Sequence, residues 1–400
     1  MARVVITGAG TINALGQDVP STFAAFAQAK GGIGQLDIPD VDRLSIRVAG
    51  QVRGWTASDH FDLRGLSLYD RMTQFALSSA RQAVAQSGLV FDEALGLRSG
   101  VILGTAGGGL GTIDDSYRAV YAEGKNRVHP LTVPRLMASA GVSHISMAYG
   151  LRGPAFTVST ACASSNHAMG LAFQMVRSGA APVMLTGGAE AMLTFGGLKA
   201  WEGLRVMAAE ACRPFSANRT GMVQGEGAAV FVFEDYDHAH ARGAHILAEV
   251  IGFSMCSDAH DIVMPSADGA MRAMQGALAD AGVHPGQVGY INAHGTGTKA
   301  NDANEAAAIR AVFGDKPPLV SSTKGAHGHI IGSTGAVEAL ACLLALKDGI
   351  IAPTLGYQTP DPDCALDVVP NTARQVSVDV AMTNAFAFGG LNAVLVLRKM

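Results

Sequence analysis

The segment Phe156-Thr157-Val158-Ser159-Thr160-Ala161-Cys162-Ala163-Ser164-Ser165 reads as a short β-branched strand running into a turn of small residues. A helix follows, with Met169, Phe173 and Val176 spaced to share one face. That order leaves Cys162 at a helix N-terminus, with Ser159 or Thr160 available as a cap. The unpaired amides and the positive end of the helix dipole predict a thiol pKa below the ordinary value of roughly 8.5. Taken alone, the segment reads equally well as a small buried thiol.

Outward from this segment, β-branched runs alternate with alanine-rich helical patterns. Strands are predicted at Val4–Ile6, Val101–Leu103, Phe156–Ser159, Val183–Thr186, Ala229–Phe233, Ile246–Ile251, Val288–Ile291, Val376–Met382 and Ala393–Leu397. Several are apolar without alternation, as in strands buried on both faces. Helical spacing is clear at Phe75–Val84 and Met271–Leu278. The alternation specifies an α/β protein with helices covering its sheets. A boundary is expected at Arg242-Gly243, after the charged run Glu234-Asp235-Tyr236-Asp237-His238, giving halves 1–242 and 243–400. No proline- or serine-rich linker separates them, so they should pack closely.

A hydrophobic fraction of 48% against 16% charged residues excludes a disordered chain. A net charge of −4 gives no general attraction to nucleic-acid phosphates or anionic lipid. The five cysteines (Cys162, Cys212, Cys256, Cys342, Cys364) are scattered and form no C-x-x-C, which fits a reducing compartment. The chain opens on a strand, and its most apolar helix, Gly335–Leu346, carries Glu338 and is too short to span a bilayer. A cytoplasmic protein is expected.

Familiar site motifs fail. Gly8-Ala9-Gly10 has Asn13 where a dinucleotide fingerprint needs glycine, and Gly104–Gly111 lacks the Gly-Lys-Ser/Thr ending of a phosphate loop. His238, His240 and His245 read as a surface helix rather than a metal site. Cys162 instead gains meaning from company. Asn292-Ala293-His294-Gly295-Thr296-Gly297-Thr298 puts a histidine just past a strand, and Ser321-Ser322-Thr323-Lys324-Gly325-Ala326-His327-Gly328-His329 repeats the device. Strand C-terminal ends are where α/β proteins assemble sites. One cysteine, two loop histidines and a lysine suit thioester chemistry, combining nucleophile, oxyanion donors and charge control.

Those residues resemble the β-ketoacyl-acyl-carrier-protein synthases, the condensing enzymes of fatty acid and polyketide synthesis. The likeness runs from Val4-Val5-Ile6-Thr7-Gly8 to Phe388-Gly389-Gly390-Leu391-Asn392, and includes Thr160-Ala161-Cys162, His294–Thr298, Lys324 with Gly328-His329, Arg213-Pro214-Phe215-Ser216 and Gly225-Glu226-Gly227-Ala228. Cysteine with two histidines resembles the type I/II synthases. Lys299–Glu305 and Pro360–Cys364 look closest to the nodulation-type branch, which builds specialised acyl chains.

The resemblance implies a thiolase-like fold, a five-layered αβαβα sandwich of two similar halves, usually a homodimer. It implies decarboxylative condensation: Cys162 holds an acyl group, and malonyl carrier protein loses CO2 and attacks it. The product is a β-ketoacyl thioester two carbons longer. By the same resemblance the amides of Cys162 and Phe388 form an oxyanion hole, while His294 and His329 hold the enolate. Lys324 with Glu338 supports the histidine loop, and Thr296 and Thr298 hold the phosphopantetheine arm. Turn hydroxyls and a buried ion pair are the plainer readings of these last four. The partner is an acyl carrier protein, with Arg64, Lys125, Arg127 and Arg205 as a basic entrance. Neither a cofactor nor a metal is implied.

Three departures bear on the substrate. Ala387 stands where elongating synthases have glycine, so the gating loop should have less backbone freedom. Gly107 replaces a bulky pocket residue, predicting a deeper acyl pocket. Trp201 replaces a smaller aromatic and either floors the pocket or packs in the core. Together they point to a specialised chain. A degradative thiolase would need a second cysteine in the C-terminal glycine loop, and a non-catalytic chain-length partner would lack Cys162. A ketosynthase subunit paired with a homologous chain-length partner remains the alternative.

Overall fold

The computed structural model describes residues 1–400. Ten strands form its main sheet: β1 (Val4–Asn13), β2 (Gly100–Gly104), β3 (Ala155–Val158), β4 (Val183–Glu190), β5 (Gly227–Asp235), β6 (Ala248–Ser257), β7 (Tyr290–Asn292), β8 (Leu319–Ser321), β9 (Val380–Ala387) and β10 (Leu391–Arg398). The spatial order is β8-β7-β9-β10-β6-β1-β5-β4-β2-β3. Each half therefore runs third, second, fourth, fifth, first in its own numbering. The pairings match as well: β2 is parallel to β3 and β4, and β7 to β8 and β9, while β4–β5, β5–β1, β9–β10 and β10–β6 are antiparallel. The halves join where Val4–Ile6 of β1 pairs with Ala248–Val250 of β6.

The helices that matter are α1 (Arg71–Ser87), α2 (Ala140–Tyr149), α3 (Ser164–Arg177), α4 (Phe195–Gly203), α5 (Ala267–Ala281), α6 (Lys299–Phe313) and α7 (Thr334–Asp348). Strand burial shows how they layer. On β5, Ala229, Phe231 and Phe233 enter the central core with Met169, Phe173 and Val176 of α3, whereas Ala228, Val230 and Val232 pack with Phe75, Ala76 and Ala83 of α1. On β10, Ala393, Leu395 and Leu397 face the same central core, while Val394 and Val396 join Ala273, Met274 and Ala277 of α5. Alternate side chains of one strand thus belong to different cores. Helices α3 and α7 fill the middle layer, α1 with α2 and α5 with α6 the outer ones. Helix α7 buries every residue from Thr334 to Leu346, so Glu338, the one acid in that stretch, must find a partner inside.

Three predicted strands begin late in the structure. β6 starts at Ala248, β7 at Tyr290 and β9 at Val380, because the apolar residues before each sit in loops that pack on the core. The histidine-rich stretch forms helix Tyr236–Ala241, where His238 pairs with buried Glu234 at 2.6 Å.

Candidate active site

The turn between β3 and α3 holds Cys162 by small-residue geometry. Ala161 adopts φ 49°, a left-handed conformation that turns the chain sharply just before the sulfur. Ser164 braces it: its Oγ accepts from Thr160 N at 2.9 Å and donates to Ala161 O at 2.7 Å. Neither Ser159 nor Thr160 caps the helix. The N-cap is Ala163, with no side-chain cap bond. The acidic thiol expected from sequence is also corrected. Burial pushes Cys162 up to about 11, against the pull of the Lys324 charge and of the Phe388 and Cys162 amides. Full desolvation outweighs the helix end. Those two amides nonetheless converge on the sulfur, the pair the oxyanion reading needs.

Cys162, His294 and His329 bring one heteroatom each to within 4.8 Å of the others. The imidazoles meet edge to face, with ring centroids 5.5 Å apart. Burial, then the neighbouring Lys324 charge, holds both well below the usual histidine range, so both rings are neutral at pH 7. Their tautomers follow from their partners. His329 Nδ1 accepts from Ile331 N at 3.1 Å and lies 2.9 Å from the Thr334 hydroxyl, so its proton is on Nε2. Lys324 Nζ, 2.6 Å from Glu338 Oε1, also donates to the His294 carbonyl and lies 3.4 Å from His294 Nδ1. An ammonium has three protons and nothing to accept with, so His294 too carries its proton on Nε2. The cleft therefore meets two N–H donors, and neither Nε2 lone pair is free for a soft metal ion.

Buried carboxylates the sequence reading did not assign hold the loops. Glu305 on α6 accepts from His294 N at 2.8 Å and Gly295 N at 2.7 Å. Glu190 at the end of β4 accepts from Thr105 Oγ1, Ala106 N, Gly107 N and Gly332 N, tying the β2 loop to the turn after His329. Asp302 takes Phe215 N and Gly297 N, and meets Arg219 at 3.6 Å. A fully buried acid facing several backbone amides is the common signal, legible only once the fold brings them together. Four side-chain oxygens, Asn292 Oδ1, Glu338 Oε2, Thr383 Oγ1 and Asn384 Oδ1, are buried without partners.

The cleft has a volume of about 150 Å³ and is lined by Cys162, His294, Thr296, Thr298, His329, Trp201 and Phe388, together with Asn301, Val263, Met264 and Pro265 that sequence reasoning missed. Trp201 of α4 stacks on Phe388, with centroids 6.1 Å apart and planes at 23°. Ala387 is extended at φ −102°, so here its methyl imposes no strain. Gly107 is not in the lining, and this corrects the deeper pocket expected there. A Cβ on it would meet the Met192 side chain at 3.2 Å, because Met192 fills the space. Of the basic residues, Arg205 adjoins Val206 of the cleft wall. Lys125 and Arg127 line a separate depression with His129 and Arg135, and Arg64 is exposed on the helix Leu63–Leu68.

Residues 1–239 match the family model described as Beta-ketoacyl synthase, N-terminal domain, and residues 247–358 match Beta-ketoacyl synthase, C-terminal domain. The chain is 45% identical over 401 residues to Nodulation protein E of Rhizobium sp. (strain N33), spanning 100% of this chain and 99% of the relative. It is 40% identical over 406 residues to 3-oxoacyl-[acyl-carrier-protein] synthase 2 of Staphylococcus aureus (strain COL), spanning 99% and 98%. A solved structure, the ishigamide ketosynthase/chain length factor, superposes with a TM-score of 0.94 at 36% identity, covering 100% of this chain and 99% of that one.

Proposed function

This chain belongs to the beta-ketoacyl synthase family of condensing acyltransferases, and from that premise we propose how its residues divide the reaction. Cys162 Sγ attacks the carbonyl carbon of an acyl thioester, and the oxyanion forms against the amides of Cys162 and Phe388. The carrier thiol leaves with the proton. A malonyl thioester then enters, its carboxylate departs as CO2, and the electron pair passes to the thioester oxygen. His294 and His329 hold that enolate through their Nε2–H groups. Its carbon attacks the acyl carbonyl, Cys162 leaves and is reprotonated, and the β-ketoacyl thioester is two carbons longer. Lys324 is the positioning residue that fixes the His294 tautomer, and Glu338 Oε1 holds its Nζ at 2.6 Å.

The pair of neutral imidazoles, both presenting N–H to a cleft that also holds the thiol, carries this reading. No resident cofactor takes part in these steps, because the substrates arrive on a phosphopantetheine arm held by Thr296 and Thr298. The proposed partner is an acyl carrier protein, which the Staphylococcus aureus relative's name includes. The halves divide at Arg242–Gly243, between helix Tyr236–Ala241 and β6. A cytoplasmic location is part of the proposal, supported by five free cysteines, and no helix is long and apolar enough to cross a membrane.

β3 is an open sheet edge with Ala155 and Phe156 exposed, a surface that favours pairing with another chain. A second copy is the proposed partner there. A homologous chain-length subunit is the second reading, favoured by the likeness to a ketosynthase/chain length factor. Native mass spectrometry of the isolated chain separates them, since only the first gives a stable homodimer. A specialised acyl chain is supported by Trp201 in the cleft and by the nodulation relative. The test is intact-mass detection of Cys162 loading from carrier proteins bearing saturated, polyunsaturated and aryl chains. Selective loading of an unsaturated or aryl chain supports the proposal, and preference for ordinary saturated chains contradicts it.

A further inference from the structure

Apart from the reacting trio, the polar side chains lining the cleft are Thr296, Thr298 and Asn301, at the start of α6. The two hydroxyls lie 2.9 Å apart and share one hydrogen bond, which leaves one O–H proton uncommitted. Asn301 is 8% exposed, and its amide orientation is fixed from behind. Its Nδ2 donates to Asp302 Oδ1 at 3.1 Å, and only the NH2 branch can donate to a carboxylate. Asp302 in turn is held by Phe215 N, Gly297 N and Arg219. The other branch, Oδ1, receives no hydrogen bond from the chain and is left to the cleft. This wall therefore offers one free donor and one free acceptor side by side. A secondary amide needs that combination, since its C=O takes a proton and its N–H gives one.

Resting on the proposed condensing activity, we infer that Asn301 is a specificity-determining residue that accepts the N–H of an amide in the thiol arm of the acyl donor, beside the threonine hydroxyl that serves its carbonyl. The cleft thereby distinguishes thioesters of amide-bearing thiols from thioesters of plain alkyl thiols. An unmade bond of this kind leaves a buried acceptor without a partner, an effect near tenfold.

The experiment compares acyl transfer to Cys162 from two donors with the same acyl group, an acyl-pantetheine and an acyl ethanethiol lacking any amide, read as rates of mass gain. Asn301→Ala should lose about tenfold with the first and keep the wild-type rate with the second, which also shows that its fold is intact. Asn301→Ser, with a side chain too short to replace Oδ1, gives the same ratio if the alanine variant does not accumulate. Equal rates for wild type and variant on both donors, or an equal fall on both, overturn the anchor and leave the condensing activity standing. A wild type that loads from neither donor overturns the activity and the anchor together.

Discussion

The two halves of this molecule use one device to different ends. After β2, the amides of Ala106 and Gly107 bind the carboxylate of Glu190; after β7, those of His294 and Gly295 bind Glu305. After β3 the chain enters α3 through residues 159–163 with Cys162 among them, whereas after β8 it takes residues 322–333 to reach α7 and gains Lys324 and His329 on the way. Strand order, pairing and buried-acid anchoring repeat between the halves, while the chemistry does not. A symmetric scaffold thus brings a thiol from one half against two imidazoles and a lysine from the other. The middle helices α3 and α7 set the distance between them.

The comparison breaks most sharply at Lys324. Lys324→Ala leaves Glu338 buried without its cation and is expected to cost about 3–5 kcal/mol of stability, read by denaturant unfolding. The N-terminal half contains no equivalent pair to compensate. His329→Ala or His294→Ala removes one donor, and malonyl decarboxylation should fall on the order of a hundredfold or more. Acyl loading of Cys162, which uses the amides of Cys162 and Phe388 rather than the imidazoles, should change far less, so stopped reactions separate the two steps.

The pH dependence of loading tests the environment of the Cys162 thiol. With the thiol pushed up to about 11, the thiolate fraction grows as pH rises toward that value. The loading rate should therefore climb about tenfold per unit between about pH 7 and 9. A plateau by pH 8 means that substrate entry lowers the thiol pKa. The smallest effect compares the two anchored loops. Gly295 has φ 37° and a Cβ there would lie 2.6 Å from Ser322 Cβ, so Gly295→Ala should cost roughly 1–2 kcal/mol. Gly107→Ala meets only the flexible end of Met192 and should stay under about 1 kcal/mol, read as the difference in Tm.

The sequence carried the alternation of strands and helices, and the residues that meet in the cleft, because both are written in local pattern and motif. Non-local effects were not legible. The acidity of Cys162 was misread since a helix N-terminus is a local feature, whereas the desolvation that dominates it comes from the whole closed cleft. Gly107 was misread because the side chain filling its space, Met192, lies on another segment. Glu190 and Glu305 look like ordinary acids until β4 and α6 bring them under the amides they hold. Asn301 stood inside a stretch singled out for its likeness to a family branch, yet its free oxygen appears only when Asp302 claims its other atom.

The central claim is that the two halves act in sequence on one thioester, and the most direct test follows the mass of the intact chain. Wild type incubated with an acyl carrier protein should gain the acyl mass. Adding malonyl carrier protein should then discharge it, with release of a β-ketoacyl carrier protein two carbons longer. His329→Ala should load and discharge on the order of a hundredfold or more slowly, and Cys162→Ala should not load. Loading that survives in Cys162→Ala, or discharge from His329→Ala at the wild-type rate, would contradict the account.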